Sequence, residues 1–238
     1  MKKEHAPFNI RAYLSVLPLF ADLSDAEREP LARSCELRRL PRGETVFRVG
    51  DPCEAFHVVV VGQVKLYVAN AEGQEKIIEL VGAGQTFAEA IMFLDKPYFL
   101  NVQTLADTLL LSISKQAVVQ EIERDPRLAM RMLAGISRRL RGLVQDVESY
   151  ALHNGTQRLI GYLLREVQGE AKGAVDAGPC AHTVCLPVSK SALASLLSLT
   201  PEYFSRVLHE LEAEGLIAID KRDIRILDTQ RLASYGSL

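Results

Sequence analysis

Hydrophobic and polar positions change period twice along the chain. From about residue 40 to 114, short Val-, Ile-, Leu- and Phe-rich runs are punctuated by glycines at 43, 50, 62, 73, 82 and 84, the texture of an all-β barrel or sandwich. The strand candidates are "ETVFRVGD", "FHVVVVGQVKLYVA", "QEKIIELVGAG" and "LNVQTLADTLLLSI", with "NAEGQEK" as a Gly-containing hairpin turn. Ahead of them "SDAEREPLARSCEL" predicts a short amphipathic helix, with Ser24 as N-cap and Glu27 as its capping-box partner. From Asp125 the spacing switches to alternating threes and fours. Leu133, Ile136, Leu140, Leu143, Val147 and Tyr150 then form a heptad seam on a helix from about Pro126 to Leu152, roughly 40 Å long at ~1.5 Å per residue. So narrow a stripe must be covered, either by the chain's own β domain or by the same stripe of a second copy. The strict alternation favours pairing.

The last third changes texture again. "TQRLIGYLLREV" predicts a helix and "TVCLPV" a strand, with residues 166–182 between them read as a loop. Then come "SKSALASLL", the connection "SLT", "PEYFSRVLHELEAEGL", and two apolar-alternating runs joined by "DKRD". Ser189 can cap the first helix and Thr200 the second. Pro201 suits the first helical position, and Gly215 the end. Helix, tight turn, helix, hairpin is a winged helix–turn–helix. The fold class is therefore α+β: a jelly-roll-like sensor domain over residues 1–124, a long helix over 125–152 and a winged helix–turn–helix over 153–238.

The second helix carries two faces. Phe204, Val207, Leu208 and Leu211 fall on one, and Glu202, Ser205, Arg206 and His209 on the other. In a helix–turn–helix the N-terminal residues of the second helix meet base edges in the major groove. Arg206 can donate two parallel hydrogen bonds to guanine O6 and N7, Glu202 can accept from cytosine N4, and Ser205 can bond either way or sit against a thymine methyl. Tyr203 shares the same turn. Ser189 and Lys190 are placed for phosphate contacts. A bare Glu202–Arg206 pair would otherwise be an i,i+4 surface ion pair worth a few tenths of a kcal/mol. The capped turn before it and the wing after it favour base reading.

Composition narrows the partners. Net charge is −2, with 48% hydrophobic and 24% charged residues, as in an ordinary globular protein. Residues 155–238 hold nine Lys or Arg against ten Asp or Glu, so DNA affinity must come from local placement. Runs such as "VVVV" at 58–61 fall far short of the ~20 residues of a bilayer crossing. The N-terminus lacks an apolar segment ahead of a cleavage site. A cytoplasmic protein with no membrane partner is expected. Cys35, Cys53, Cys180 and Cys185 are too scattered for a disulfide framework. The cluster Cys180, His182 and Cys185 fits no common zinc spacing and reads as a hairpin edge. With no nucleophile–base pair and no phosphate-cradling glycine loop, the chain does not read as an enzyme.

These residues resemble the Crp/Fnr superfamily of bacterial transcription regulators over essentially the whole length. "RGETVFRVGD" looks like the start of the cyclic-nucleotide-binding β-roll, "ISRRLRGL" like the dimerisation helix, and "TPEYFSRVLHELEAEGLI" like the recognition helix and its exit. The resemblance implies a homodimer on double-stranded DNA, binding an inverted repeat and contacting RNA polymerase, with activation and repression both open. Glu202, Ser205 and Arg206 match the Fnr-type reading head, which implies half-sites like TTGAT…ATCAA. Members that read TGTGA carry Arg and Gly where Pro201 and Ser205 stand.

The sensor departs from its best-known relatives. Members that bind cyclic AMP hold its phosphate with an Arg–Ser pair after a Gly–Glu. Here Glu89 is kept, Ala88 replaces the glycine, and Phe99 and Leu100 replace Arg–Ser. Leu143 and Val144 stand where a Thr–Ser pair would face the base. A phosphate would meet an apolar wall without a cation, so cyclic AMP is not expected. An Fnr-type iron–sulfur cluster is not expected either, because no cysteine precedes Cys35. What remains is an apolar pocket around Phe87, Glu89, Ile91, Met92, Phe93, Phe99 and Leu100, against Leu140, Leu143 and Val144. "EGQEKIIE" and "FAEAIMFLDKP" are most similar to the Dnr-type branch, regulators of denitrification that respond to nitric oxide, thought to act through haem b. A haem needs an axial ligand, for which His57 and His5 rank ahead of the remaining histidines. Two alternatives stay open: another apolar effector or redox chemistry at Cys35 or Cys53 in the same fold, and, more remotely, a cupin-like metal enzyme.

Overall fold

The computed structural model describes residues 8–171, 182–186 and 188–235. In chain order the elements are α1 (Ile10–Val16), α2 (Asp25–Arg33), β1 (Cys35–Leu40), β2 (Thr45–Phe47), β3 (Ala55–Val61), β4 (Gln63–Ala69), β5 (Glu75–Gly82), β6 (Thr86–Phe87), α3 (Glu89–Met92), β7 (Asn101–Thr104), β8 (Thr108–Ser114), α4 (Lys115–Arg124), α5 (Arg127–Leu152), α6 (Gly155–Ala171), β9 (His182–Cys185), α7 (Lys190–Leu196), α8 (Pro201–Ala213), β10 (Ile217–Asp220), β11 (Asp223–Ile226) and α9 (Thr229–Tyr235). They form two compact units, Met1–Val68 with Ile78–Arg141 and Ala69–Ile77 with Gly142–Leu238.

The first unit is a two-sheet sandwich. One sheet runs β1-β8-β3-β6 and the other β2-β7-β4-β5. Two cores lie on the two faces of the first sheet. Val59, Val64, Phe87, Val102 and Leu110 fill the space between the sheets. Phe56, Val58, Leu111 and Ile113 point the other way, onto Leu14, Leu31, Val118, Leu128 and Met132, which α1, α2, α4 and α5 supply. This explains "VVVV" and "LLLSI": a strand covered on both faces reads as a continuous apolar run instead of alternating. Between β3 and β4 the chain turns at Gly62, with φ +91°. A Cβ there would lie 2.5 Å from the Asp107 carbonyl oxygen, so the tight passage requires glycine.

The second unit packs α6, α7, α8 and α9 with a three-stranded antiparallel sheet, β10-β11-β9. Leu159, Leu163, Leu193, Ala194, Phe204, Leu208, Leu211, Ile224 and Leu232 are fully enclosed in it. The fold is thus the expected α+β arrangement of β-roll, long helix and winged helix–turn–helix.

Several elements differ from the expected ones. The capping box at Ser24 and Glu27 is present, but α2 stops at Arg33, and Cys35–Leu40 is a strand paired along its whole length with β8. Neighbouring β8, which no local pattern reveals, decides that segment. Helices α1 and α4 were not expected at all. At the other end, α6 continues to Ala171, into the segment read as a loop, since Glu166, Val167, Gln168 and Glu170 tolerate helix and only Gly169 opposes it. Cys180 lies outside the described residues.

Candidate nucleic-acid interface and effector site

The reading head is built by caps. Ser189 accepts from the Ala192 amide at 3.2 Å and opens α7. Thr200 accepts from the Tyr203 amide at 3.2 Å and opens α8, with Pro201 in its first turn. Between the helices Ser198 takes φ 55°, and the Leu199 amide returns to the Ala194 carbonyl at 2.8 Å. The carbonyls left over at the end of α7 find outside donors. Tyr150 Oη donates to Leu196 O at 2.7 Å, Arg158 Nε to Leu197 O at 2.9 Å, and Arg158 Nη2 to Ser198 O at 3.2 Å. Tyr150 therefore serves the helix–turn–helix of its own chain, a role that a place in the heptad seam did not suggest.

On α8, Phe204, Val207, Leu208 and Leu211 are buried to within 1%. Glu202, Arg206 and His209 are exposed and Ser205 is half-buried. Arg206 does not pair with Glu202. Its Nε lies 3.8 Å from Glu210, four residues on, an exposed contact of little energetic weight. Its guanidinium instead lies 4.8 Å from the centre of the Tyr203 ring. That ring is held from below: Tyr203 Oη and Thr156 Oγ1 are 3.3 Å apart. A Cβ on Gly155 would fall 2.5 Å from the ring. Glycine at the start of α6 thus makes the space in which Tyr203 supports Arg206. Lys190 is the first residue of α7. The wing, β10 with β11, turns at Lys221 with φ 55°.

Eight of the ten residues expected around an apolar effector lie in the sandwich unit, and Leu143 and Val144 belong to the second. Phe87 and Ile91 belong to the core between the sheets, and Met92 to the core beneath the helices. Phe93, Phe99, Leu140, Leu143 and Val144 are exposed, and Leu100 packs at the edge of the inner core. Ala88 adopts φ 69° ahead of α3, a left-handed conformation that glycine takes without cost. Glu89 is fully engaged. It accepts from Thr86 Oγ1 at 2.8 Å and from Arg139 Nη1 at 3.3 Å. Arg139 also donates to Glu79 through Nε at 2.9 Å and to Thr86 O at 3.3 Å.

His57 does not fit an axial haem ligand. It is 5% exposed, between Phe47 and Phe87 at ring separations of 5.6 and 5.0 Å. Nδ1 lies 2.9 Å from Ser112 Oγ and Nε2 3.2 Å from Tyr98 Oη. Tyr98 donates to Ala55 O at 3.0 Å, which assigns the ring proton to Nε2 and leaves Nδ1 to accept from Ser112. Burial, with Arg38 nearby, pushes its pKa down to about 3, so the ring is neutral and both nitrogens are occupied. His5 lies outside the described residues. Burial likewise pushes the Cys35 thiol up to about 12 and raises that of Cys53. Neither offers the thiolate that redox sensing uses. Among the described residues, no group of three or more His, Cys, Asp or Glu is arranged to hold a metal, and no helix is long and apolar enough to cross a membrane.

A roll followed by a capped helix–turn–helix and wing defines a class, the DNA-binding regulators with a cyclic-nucleotide-binding-like sensor. A family model for the cyclic nucleotide-binding domain matches residues 37–125, and one for the Crp-like helix-turn-helix domain matches residues 157–235. The chain is 36% identical to DNR from Pseudomonas aeruginosa, with 97% of this chain and 100% of that one covered at a TM-score of 0.50. It is 27% identical to the cyclic AMP receptor protein of Thermus thermophilus, over 90% of this chain and 94% of that one. FixK2 of Bradyrhizobium japonicum shares the fold at a TM-score of 0.72 and 21% identity, over 84% of this chain and 96% of that one. The chain belongs to the Crp/Fnr family of transcription regulators.

Proposed function

We propose that the protein acts as a homodimer that reads an inverted repeat of the TTGAT…ATCAA type through Glu202, Ser205 and Arg206. The observation that carries this reading is the division of α8: four side chains sealed into the domain and three short-range polar ones turned outward behind a doubly capped turn. Arg206 takes the guanine, Glu202 the amine of a cytosine and Ser205 a thymine methyl or acceptor. Lys190 and Ser189 fix register on phosphates.

The exposed stripe of α5 supports pairing. Leu133, Leu140, Val144 and Val147 are 55–66% exposed, a run of apolar surface that a second copy would cover at heptad spacing. The effector is a small molecule other than cyclic AMP, because Phe99 and Leu100 supply no cation for a cyclic phosphate. Resemblance to the Dnr-type branch makes nitric oxide the first to test. Haem as its receptor needs a ligand that His57 does not supply, which makes His5 the first to mutate, ahead of the remaining histidines.

Gating is a population shift between dimer states that differ in how they present α8. Anaerobic titration of haem-loaded protein with nitric oxide, followed by Soret absorption and by binding to a TTGAT…ATCAA duplex, tests the effector. A spectral change with tighter DNA binding supports it. Unaltered DNA affinity removes nitric oxide while leaving the reading head intact.

A further inference from the structure

One face of α5 in the sandwich unit borders a cavity of about 440 Å³ that the proposed function does not use, a size suited to a small organic ligand. Its walls come from Leu17, Pro18 and Leu19 between α1 and α2, from Gln85, Thr86 and Glu89, and from α5 itself. Along α5 the lining follows helical spacing. Arg131 and Arg138 are seven residues apart, on one face about 10 Å from each other along the axis. Ala134 and Gly135, the residues between them on that face, also line the cavity and are too small to fill it. A Cβ on Gly135 would meet nothing within 4 Å. Helix packing within the chain therefore gives no reason for glycine there, though glycine weakens a helix interior.

The charges are unevenly used. Arg139 is committed to Glu79 and Glu89. Arg131 reaches Asp22 with Nη1 at 3.0 Å, but its Nε and Nη2 are enclosed and have no hydrogen-bond partner. Buried donors left unpaired are unfavourable and uncommon in native proteins. Arg138 also lines the cavity and has no ion-pair partner among the described residues. Three arginines against Glu79 and Glu89 leave a single positive charge in the lining, while Asp22 stays mostly in solvent. Leu17, Pro18 and Leu19 give the wall across from α5 an apolar surface, and Met132 adds to it from α5 itself. At 100° per residue this face lies roughly opposite the Leu133–Leu140–Val147 stripe, so pairing of two copies leaves it open.

We propose that this cavity is a binding site for a small monocarboxylate with an apolar tail, its carboxylate taken by Arg131 and Arg138 and its tail laid over Ala134 and Gly135 against Leu17 and Met132. The single excess charge selects a monoanion. The carboxylate supplies the acceptors that the Arg131 guanidinium lacks, through a small turn of that side chain toward the cavity.

Calorimetric titration of the full-length protein tests this with three probes: hexanoate, its neutral amide hexanamide, and inorganic phosphate. Saturable binding of hexanoate at one per chain is expected, at least about tenfold tighter than either other probe. Arg138→Gln, at an exposed position, and Gly135→Leu, which fills the floor, should each weaken it about tenfold or more. The integrity of both variants is checked by unchanged circular dichroism and operator binding, which also separates failure here from failure of the DNA-reading proposal. Absence of saturable hexanoate binding, equal binding of phosphate or hexanamide, or unchanged affinity in both variants overturns the proposal.

Discussion

Arg206 and Lys190 are both cations near DNA in the proposed complex, yet they should fail differently. Arg206→Ala is expected to lose about 1–3 kcal/mol on the operator and to relax preference at the guanine alone. Lys190→Ala should weaken every sequence alike and flatten the salt dependence by about one unit of slope. Anisotropy titrations on single-base operator variants over a range of salt separate the two. Identical behaviour would reject the assignment of roles. At Ala88 the left-handed backbone carries strain that glycine would relieve, offset in part by the extra freedom glycine gives the unfolded chain. Ala88→Gly should therefore raise stability by up to about 1 kcal/mol in urea melts.

His57 makes stability depend on pH. Its folded pKa of about 3 lies below the ordinary 6.5, so the unfolded chain takes up a proton before the folded one does. Its neutral form costs nothing above pH 6.5. Stability then falls as pH drops from 6.5 toward 3, by about 1.4 kcal/mol per unit. His57→Asn should be less stable at neutral pH, through lost hydrogen bonds to Ser112 and Tyr98, and should show a shallower acid limb. Parallel limbs in the two proteins would contradict the assignment.

At the scale of elements, α5 and α8 were legible because their signals are local. The heptad spacing places the long helix at Pro126–Leu152, and it runs Arg127–Leu152. Thr200, Pro201 and Gly215 bracket α8, which spans Pro201–Ala213 with the expected face buried. By contrast β1 is invisible from within: "CELRRL" has no strand alternation, and only its partner β8 makes it one. The residues expected around an effector divide between two cores for a related reason. In "FAEAIMFL" Phe87 and Ile91 face one core and Met92 the other, and a helix of only four residues, Glu89–Met92, is too short to show a period that would say which side each takes. Tyr203 sits in the first turn of α8, while its part as a support for Arg206 depends on Gly155 and Thr156 from another helix. If the α5 stripe pairs two chains, Leu140→Asp and Val147→Asp together should give monomers with intact circular dichroism, because both side chains are exposed in the single chain. Retention of the dimer in sedimentation velocity would place the interface elsewhere.

For the whole molecule, formal charge gives no help: at −2 overall the protein has no general attraction to DNA, and in the proposed complex the preference for one sequence would come from two reading heads acting together. Tight binding to an operator then requires both half-sites on one face of the duplex, about one helical turn apart. The most direct test is anisotropy with purified, effector-activated protein on three duplexes: the TTGAT…ATCAA repeat, a scrambled repeat, and the same repeat with about half a turn of DNA inserted between its halves. Two chains bound per duplex, with the intact repeat preferred over the other two by about a thousandfold, is the expected result. A protein that stays monomeric at every concentration, or that binds all three duplexes equally, contradicts it.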